Sequence, residues 1–142
     1  MVKGINAYIV TNGNGQEAVK FYEEALDAQV ISLQTFGDLP ESPDFPIPSE
    51  AKNYVLHAHM KIGANELMLS DNFPGTPYTL GNQVGIAVII STPEKTKTVF
   101  DSLSADGHII MELQQTFWSP LYGQVKDKFG VTWQVSTISE AQ

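Results

Sequence analysis

The chain has 142 residues, 42% of them apolar, which is enough for one real core and too little for two ordinary domains. It carries eight lysines, no arginine and a formal net charge of −8, so it lacks both the bidentate grip and the positive field that nucleic acids and anionic membranes require, whereas a neutral or cationic small molecule meets a favourable field. There is no cysteine and no signal-peptide pattern, and the longest purely apolar run, Ile86 to Ile90, falls far short of a membrane span, so a soluble cytoplasmic protein without disulfides or thiol chemistry is expected.

In chain order, Ile5 to Thr11 reads as a strand. Asn12-Gly13-Asn14-Gly15 follows; it is too short and off-pattern for a nucleotide fingerprint, and reads as a turn leading to a helix capped by Asn14 with Glu17. Ala18, Phe21, Tyr22, Ala25 and Leu26 recur at three- and four-residue spacing and form the apolar stripe of that helix. Asp27 to Gln29 ends it. Val30 to Phe36 and Tyr54 to Ile62 read as strands, and Gly63 to Asn65 turn the chain into a further strand, Glu66 to Ser70.

Between the first two of these lies Gly37 to Glu50, with four of the eight prolines. Prolines this dense cannot donate ladder hydrogen bonds, so an extended loop is expected, either a plain insertion or a lid over a site.

The second half repeats the first. Val84 to Ile90 is a strand, and Ser91-Thr92-Pro93-Glu94 is a capping sequence with proline in the first helical turn. Val99, Phe100 and Leu103 form the stripe, and Gly107 closes the helix. A shift of 79 residues superimposes Phe21 on Phe100, Ala28 on Gly107 and Val30-Ile31 on Ile109-Ile110; towards the ends it falls to about 66, so the first copy carries about 13 extra residues, which the proline-rich loop accommodates. Two β-α-β-β-β units follow, repeat one over about residues 1–75 and repeat two over about 82–138 of a single domain spanning 1–142.

The segment Phe117 to Trp133 contains five aromatic residues among seventeen. It reads as a strand through Tyr122 and Gly123, a tight turn over Asp127 to Gly130 and a return strand from Val131 to Val135. Strand alternation sends Trp118 and Tyr122 to one face and Phe117 and Leu121 to the other, provided that Pro120 makes no bulge.

This closing hairpin, the strand ending Leu67-Met68-Leu69-Ser70-Asp71 and the dipeptide His57-Ala58 resemble the glyoxalase, bleomycin-resistance and extradiol-dioxygenase superfamily, the vicinal oxygen chelate fold, and most of all its PhnB-like branch. The resemblance covers nearly the whole chain. It implies an α+β fold in which the two βαβββ repeats form one curved, cup-shaped mixed sheet with helices on the outer face, and a homodimer in which a partner completes or covers the cup. Metal-dependent members take one ligand from the first and last strands of each repeat. Those positions fall here on Ala7 (Asn6 if the register slips), Met68, Gly85 and Gln134, which cannot supply the imidazoles and carboxylates that hold catalytic divalent ions. No metal and no cofactor are therefore expected.

The remaining candidates are weighed singly. His57 and His59 share one face of a strand; they read as a hydrogen-bonded pair, with His57 contacting a ligand, or as two ligands of a metal completed by an unforeseen carboxylate. His108 reads as a surface residue. Ser70 lacks a nucleophile elbow and a base, so it reads as ligand-lining rather than catalytic, and Asp71 as a turn former. Glu66, Glu112 and Asp127 read as solvated surface. The aromatic hairpin offers stacking surfaces for a flat ligand.

The reading is thus a metal-free, PhnB-like protein that binds a small, flat or cationic molecule in the cup through His57, Ser70, Trp118, Tyr122 and Gln134. One alternative is a metal-dependent lyase, isomerase or dioxygenase using His57 and His59. Another is a partner-binding module with no small ligand.

Overall fold

The computed structural model describes residues 1–139. They group into two compact units, Met1–Tyr78 and a second beginning at Thr79, and each carries the β-α-β-β-β order. The first contains β1 (Ala7–Thr11), α1 (Gly15–Leu26), β2 (Gln29–Thr35), β3 (Val55–Ile62) and β4 (Asn65–Asp71). The second contains β5 (Ile86–Ile90), α2 (Pro93–Ser104), β6 (His108–Gln114), β7 (Tyr122–Lys126) and β8 (Thr132–Thr137). The strands at Ile5 and Val84 begin later than expected, at Ala7 and Ile86.

One topology serves both units. The first sheet has the order β1-β4-β3-β2 and the second β5-β8-β7-β6. In each, the first strand pairs parallel with the last, and the other pairings are antiparallel. The expected single, curved, cup-shaped sheet is not found. There are two separate, open four-stranded sheets, and neither closes or curls strongly. Four strands are too few to close on themselves, and a helix over one face already gives each unit a core without closure.

Alternation decides which residues enter those cores. Ile9 and Thr11 of β1, Ala58 and Met60 of β3, and Leu67, Leu69 and Asp71 of β4 are buried, as are Ala18, Val19, Tyr22, Ala25 and Leu26 of α1. Phe21 stands half-buried at the margin of the stripe, its ring edge-on to Tyr22. In the second unit Ile90, Trp133, Val135 and Thr137 are buried with Thr96, Val99, Phe100 and Leu103 of α2. Gly123 belongs to this layer, since a Cβ there would stand 2.6 Å from the Phe100 ring.

The helix ends carry the repeat into the backbone. Asp27 and Asp106, 79 residues apart in sequence, both adopt the left-handed conformation, with φ of 53° and 58°; a short polar side chain tolerates it. Gly107 was expected to close α2, but the reversal falls on Asp106. Gly107 is needed for space, because a Cβ would stand 2.5 Å from the Lys126 carbonyl oxygen. At the start of α2 the Thr92 side chain accepts the Lys95 N–H at 3.2 Å with Pro93 in the first turn, as the spacing predicts. At the start of α1 the expected cap is absent. The Asn14 side chain makes no cap bond, and the first helical N–H, from Gly15, is taken by the buried carboxylate of Asp71 at 2.9 Å.

The proline-rich segment is irregular apart from single 3-10 turns at Phe36–Asp38 and Ser49–Ala51. Phe45 leans on Phe73, with ring centroids 5.3 Å apart, and Phe73 meets the buried Phe36 edge-on at 5.7 Å. The loop encloses an open cleft of about 490 Å³, lined by Leu39, Phe45, Ile47 and Lys52 among others.

Candidate ligand-binding site

Each sheet has one face under its helix and one face free of it, and the expected ligand residues lie on the helix-free faces. In the second unit this follows from the β7–β8 hairpin. Its turn is built by Asp127, whose N–H donates to the Val131 carbonyl at 2.8 Å and whose carbonyl accepts from Gly130 at 2.9 Å. Gly130 takes φ 89° there, a value that favours glycine. The Asp127 carboxylate is buried. It accepts the Phe129 N–H at 2.9 Å, the Val131 N–H at 3.1 Å and the Trp133 indole N–H at 2.8 Å. The expectation that Asp127 is solvated surface is therefore wrong, because a turn with inward N–H groups beside a buried indole needs an acceptor that sequence spacing does not reveal.

The chain before β7 is not a strand. Thr116 and Ser119 clasp each other: the Thr116 N–H donates to the Ser119 carbonyl at 3.0 Å, and the Ser119 N–H donates to Thr116 Oγ1 at 3.1 Å. The buried Ser119 hydroxyl lies 2.7 Å from the Thr137 carbonyl oxygen. This anchored loop presents Phe117 and Trp118, 96% and 43% exposed. The alternation that would part them does not apply, because without a ladder there is no pleat. The Phe117 ring meets Trp118 at 4.7 Å and 84°, and Trp118 meets Tyr122 at 5.3 Å and 74°.

Tyr122 is only 8% exposed. Its hydroxyl donates to Gln134 Oε1 at 3.1 Å and accepts from Gln124 Nε2 at 2.9 Å. The two glutamines are direct partners across β7 and β8. The structure thus brings Trp118, Tyr122 and Gln134 together and adds Gln124. Its signal was available: Tyr122 and Gln124 are two apart on a strand, and share a face.

In the first unit, His57, His59, Met68 and Ser70 are half-buried on the face opposite Ala58, Met60, Leu67 and Leu69. Tyr8 and Val10 of β1 are exposed on the same side. The Tyr8 hydroxyl lies 3.3 Å from His57 Nδ1, and the rings are 5.9 Å apart. His59 Nε2 lies 3.3 Å from Glu66 Oε2, but the angles do not make a hydrogen bond, and this nitrogen is buried without another partner among the described residues. Glu66, expected as plain solvated surface, therefore has a neighbour. His57 and Ser70 share this face in adjacent strands. His108 is exposed at the start of β6, as expected.

The architecture and these side chains can be set beside known proteins. Residues 4–135 match the Glyoxalase/Bleomycin resistance protein/Dioxygenase superfamily. The chain belongs to that superfamily. It is 29% identical to protein YjdN of Escherichia coli K12, with 96% of each chain covered. Its fold is similar to that of protein PA1353 from Pseudomonas aeruginosa, with a TM-score of 0.85, 31% identity and 96% and 98% of the two chains covered. It is also similar to a putative 3-demethylubiquinone-9 3-methyltransferase, PhnB protein, from Bacillus cereus, with a TM-score of 0.78, 26% identity and 95% and 99% covered.

The superfamily's metal positions can be tested against the side chains in place. Ala7 shares its pleat with the buried Ile9 and Thr11, so the β1 neighbour of Met68 on the helix-free face is Tyr8, its partner in the parallel register. The corresponding neighbour of Gln134 is Ala87. A phenol, a thioether, a methyl and an amide do not fit a catalytic divalent ion. Among the described residues no three His, Cys, Asp or Glu side chains cluster as a metal would need, and this includes His57, His59 and Glu66.

Proposed function

We propose that this protein is a PhnB-like member of the superfamily that binds a small, flat or cationic molecule without a metal, by sequestration or in a reaction yet to be assigned. The PhnB-like placement is supported by the likeness to the Bacillus cereus protein. The binding site is the helix-free face of the second sheet at Trp118, Tyr122 and Gln134; His57 and Ser70 form a further contact set on the helix-free face of the first. The observation that carries this reading is Trp118, partly exposed and held edge-on to a buried tyrosine whose hydroxyl is fixed by two amides. An exposed ring on a pinned support offers stacking area at little entropic cost, and the acidic chain favours cations over anions.

Nothing in the first unit supports methyl transfer from a nucleotide cofactor. The glycines of Asn12-Gly13-Asn14-Gly15 turn their N–H groups to Asp71, at 2.8 and 2.9 Å, and so are not free to cradle phosphate. We further propose that the two units act as one domain, in the cytoplasm and as a homodimer. A thermal-shift screen of planar neutral and cationic compounds tests the reading, since a ligand of the native state raises Tm. Hits lost in Trp118→Ala are expected, and hits indifferent to that change would remove the site.

A second reading, a metal-dependent enzyme using His57 and His59, draws on the Glu66 carboxylate beside His59. One metal per chain, lost in His57→Ala, would establish it.

A further inference from the structure

Tyr122 lies between two amides, and a hydroxyl has one proton. It can donate to only one of them, and the arrangement that places its proton inside the network donates to one and accepts from the other. Here it donates to Gln134 Oε1 and accepts from Gln124 Nε2. Turning both amides over would reverse the chain of hydrogen bonds but not its consequence. One glutamine uses its carbonyl on the tyrosine and the other its NH₂. The pair therefore turns opposite ends outward, one free NH₂ and one free carbonyl, from residues that face each other directly across β7 and β8. Side chains so paired have Cβ atoms about 5 Å apart, close enough for one small molecule to meet both amides. Neither outward end has a hydrogen-bond partner among the described residues.

We infer that this site recognises a flat ring bearing a lactam or imide edge, an N–H beside a C=O, with the C=O on the free glutamine NH₂, the N–H on the free glutamine carbonyl and the ring against Trp118. The inference rests on the proposed binding role of the Trp118 face and names its ligand class. A carboxylate ligand satisfies the NH₂ but leaves the carbonyl facing a like acceptor. A quaternary ammonium satisfies neither amide and gains only ring contact and the acidic field. A lactam edge completes both hydrogen bonds at once. Tyr122 acts as a positioning residue: it holds the two amides in opposite senses and does not itself need to touch the ligand.

The test uses the whole chain and three probes of one shape, followed by NMR titration: 2-quinolone, N-methyl-2-quinolone, which lacks the N–H, and N-methylquinolinium, which replaces the edge with a charge. The expected result is about tenfold tighter binding of 2-quinolone than of either analogue, the scale of one or two hydrogen bonds. Gln134→Leu and Gln124→Leu should each abolish that preference while leaving residual ring binding. Tyr122→Phe, which frees the amides to turn, should reduce it, and Trp118→Leu should weaken all three probes together. Equal affinity for 2-quinolone and its N-methyl form, or a preference that survives both glutamine changes, would overturn the lactam edge but leave the binding face intact if Trp118→Leu still weakens the probes. Tighter binding of the quinolinium would overturn it in favour of a cation. Failure of all three to bind would remove the lactam inference and the Trp118 face together.

Discussion

The Asp71 carboxylate accepts the backbone N–H of Gly15 at 2.9 Å across 56 residues of sequence, so the last residue of β4 caps the first turn of α1. It also accepts the Thr11 hydroxyl at 2.7 Å, the Gly13 N–H at 2.8 Å and the Val55 N–H at 2.7 Å. A buried carboxylate with four donors binds the start of the helix, the end of β1 and the start of β3 into one knot. The site is tight: a Cβ on Gly15 would stand 2.5 Å from Asp71 Oδ2.

Asp71→Ala leaves those donors without an acceptor. Unfolding free energy should fall by about 3 kcal/mol or more, with Tm about 10 °C lower. Gly15→Ala should cost a comparable amount through displacement of the same carboxylate. Denaturant titration measures both, and a loss below about 1 kcal/mol for Asp71→Ala would show that water replaces the aspartate.

In the second unit, Trp133→Phe removes the indole N–H that donates to the buried Asp127 carboxylate at 2.8 Å. The expected cost is about 2 kcal/mol or more, part of it from lost packing. Asp127→Asn in the same background should cost less than in the wild-type chain, because the two residues share one interaction; a double-mutant cycle reads that coupling, and strict additivity would contradict it.

Phe45 joins the proline-rich loop to Phe73. Phe45→Ala should cost about 1 kcal/mol, the value of an aromatic pair with partial burial. Deletion of Leu39 to Pro48 should lower Tm by a few degrees for the same reason. If the loop is a lid, the deletion also weakens ligand binding, whereas unchanged affinity would identify it as an insertion.

Because Ala7, Met68, Gly85 and Gln134 fall at the metal positions that the resemblance implies, and Tyr8 and Ala87 are the register partners of Met68 and Gln134, purified protein should carry no stoichiometric zinc, nickel, iron or manganese, and chelators should leave Tm unchanged. Elemental analysis decides this. Trp118→Ala should lose about 1 to 3 kcal/mol of ligand affinity, whereas His59→Ala should matter little.

One edge strand of the second sheet is β6, where Ile109, Ile110 and Met111 are exposed. Such an edge calls for cover, and a homodimer would supply it. Light scattering at micromolar concentration should give twice the chain mass, and Ile110→Lys should reduce it to one.

The sequence by itself determined whatever rests on neighbours along the chain. Apolar spacing located both helices, alternation put His57 and His59 on one face of their strand, and the 79-residue shift that pairs Phe21 with Phe100 also pairs the left-handed Asp27 and Asp106. The superfamily was legible for the same reason. The tertiary structure alone decided the partners of side chains that reach across strands. Asp71 was expected to form a turn and caps a helix instead, Asp127 was expected at the surface and holds an indole, and Gln124 joins Tyr122 and Gln134 in a network that spacing only hinted at. It also decided that the strands form two open sheets and not one cup. The period of a strand specifies which face a residue takes, but not which distant strand lies beside it or how far a sheet curls, because these depend on the packing of whole faces rather than on any local preference.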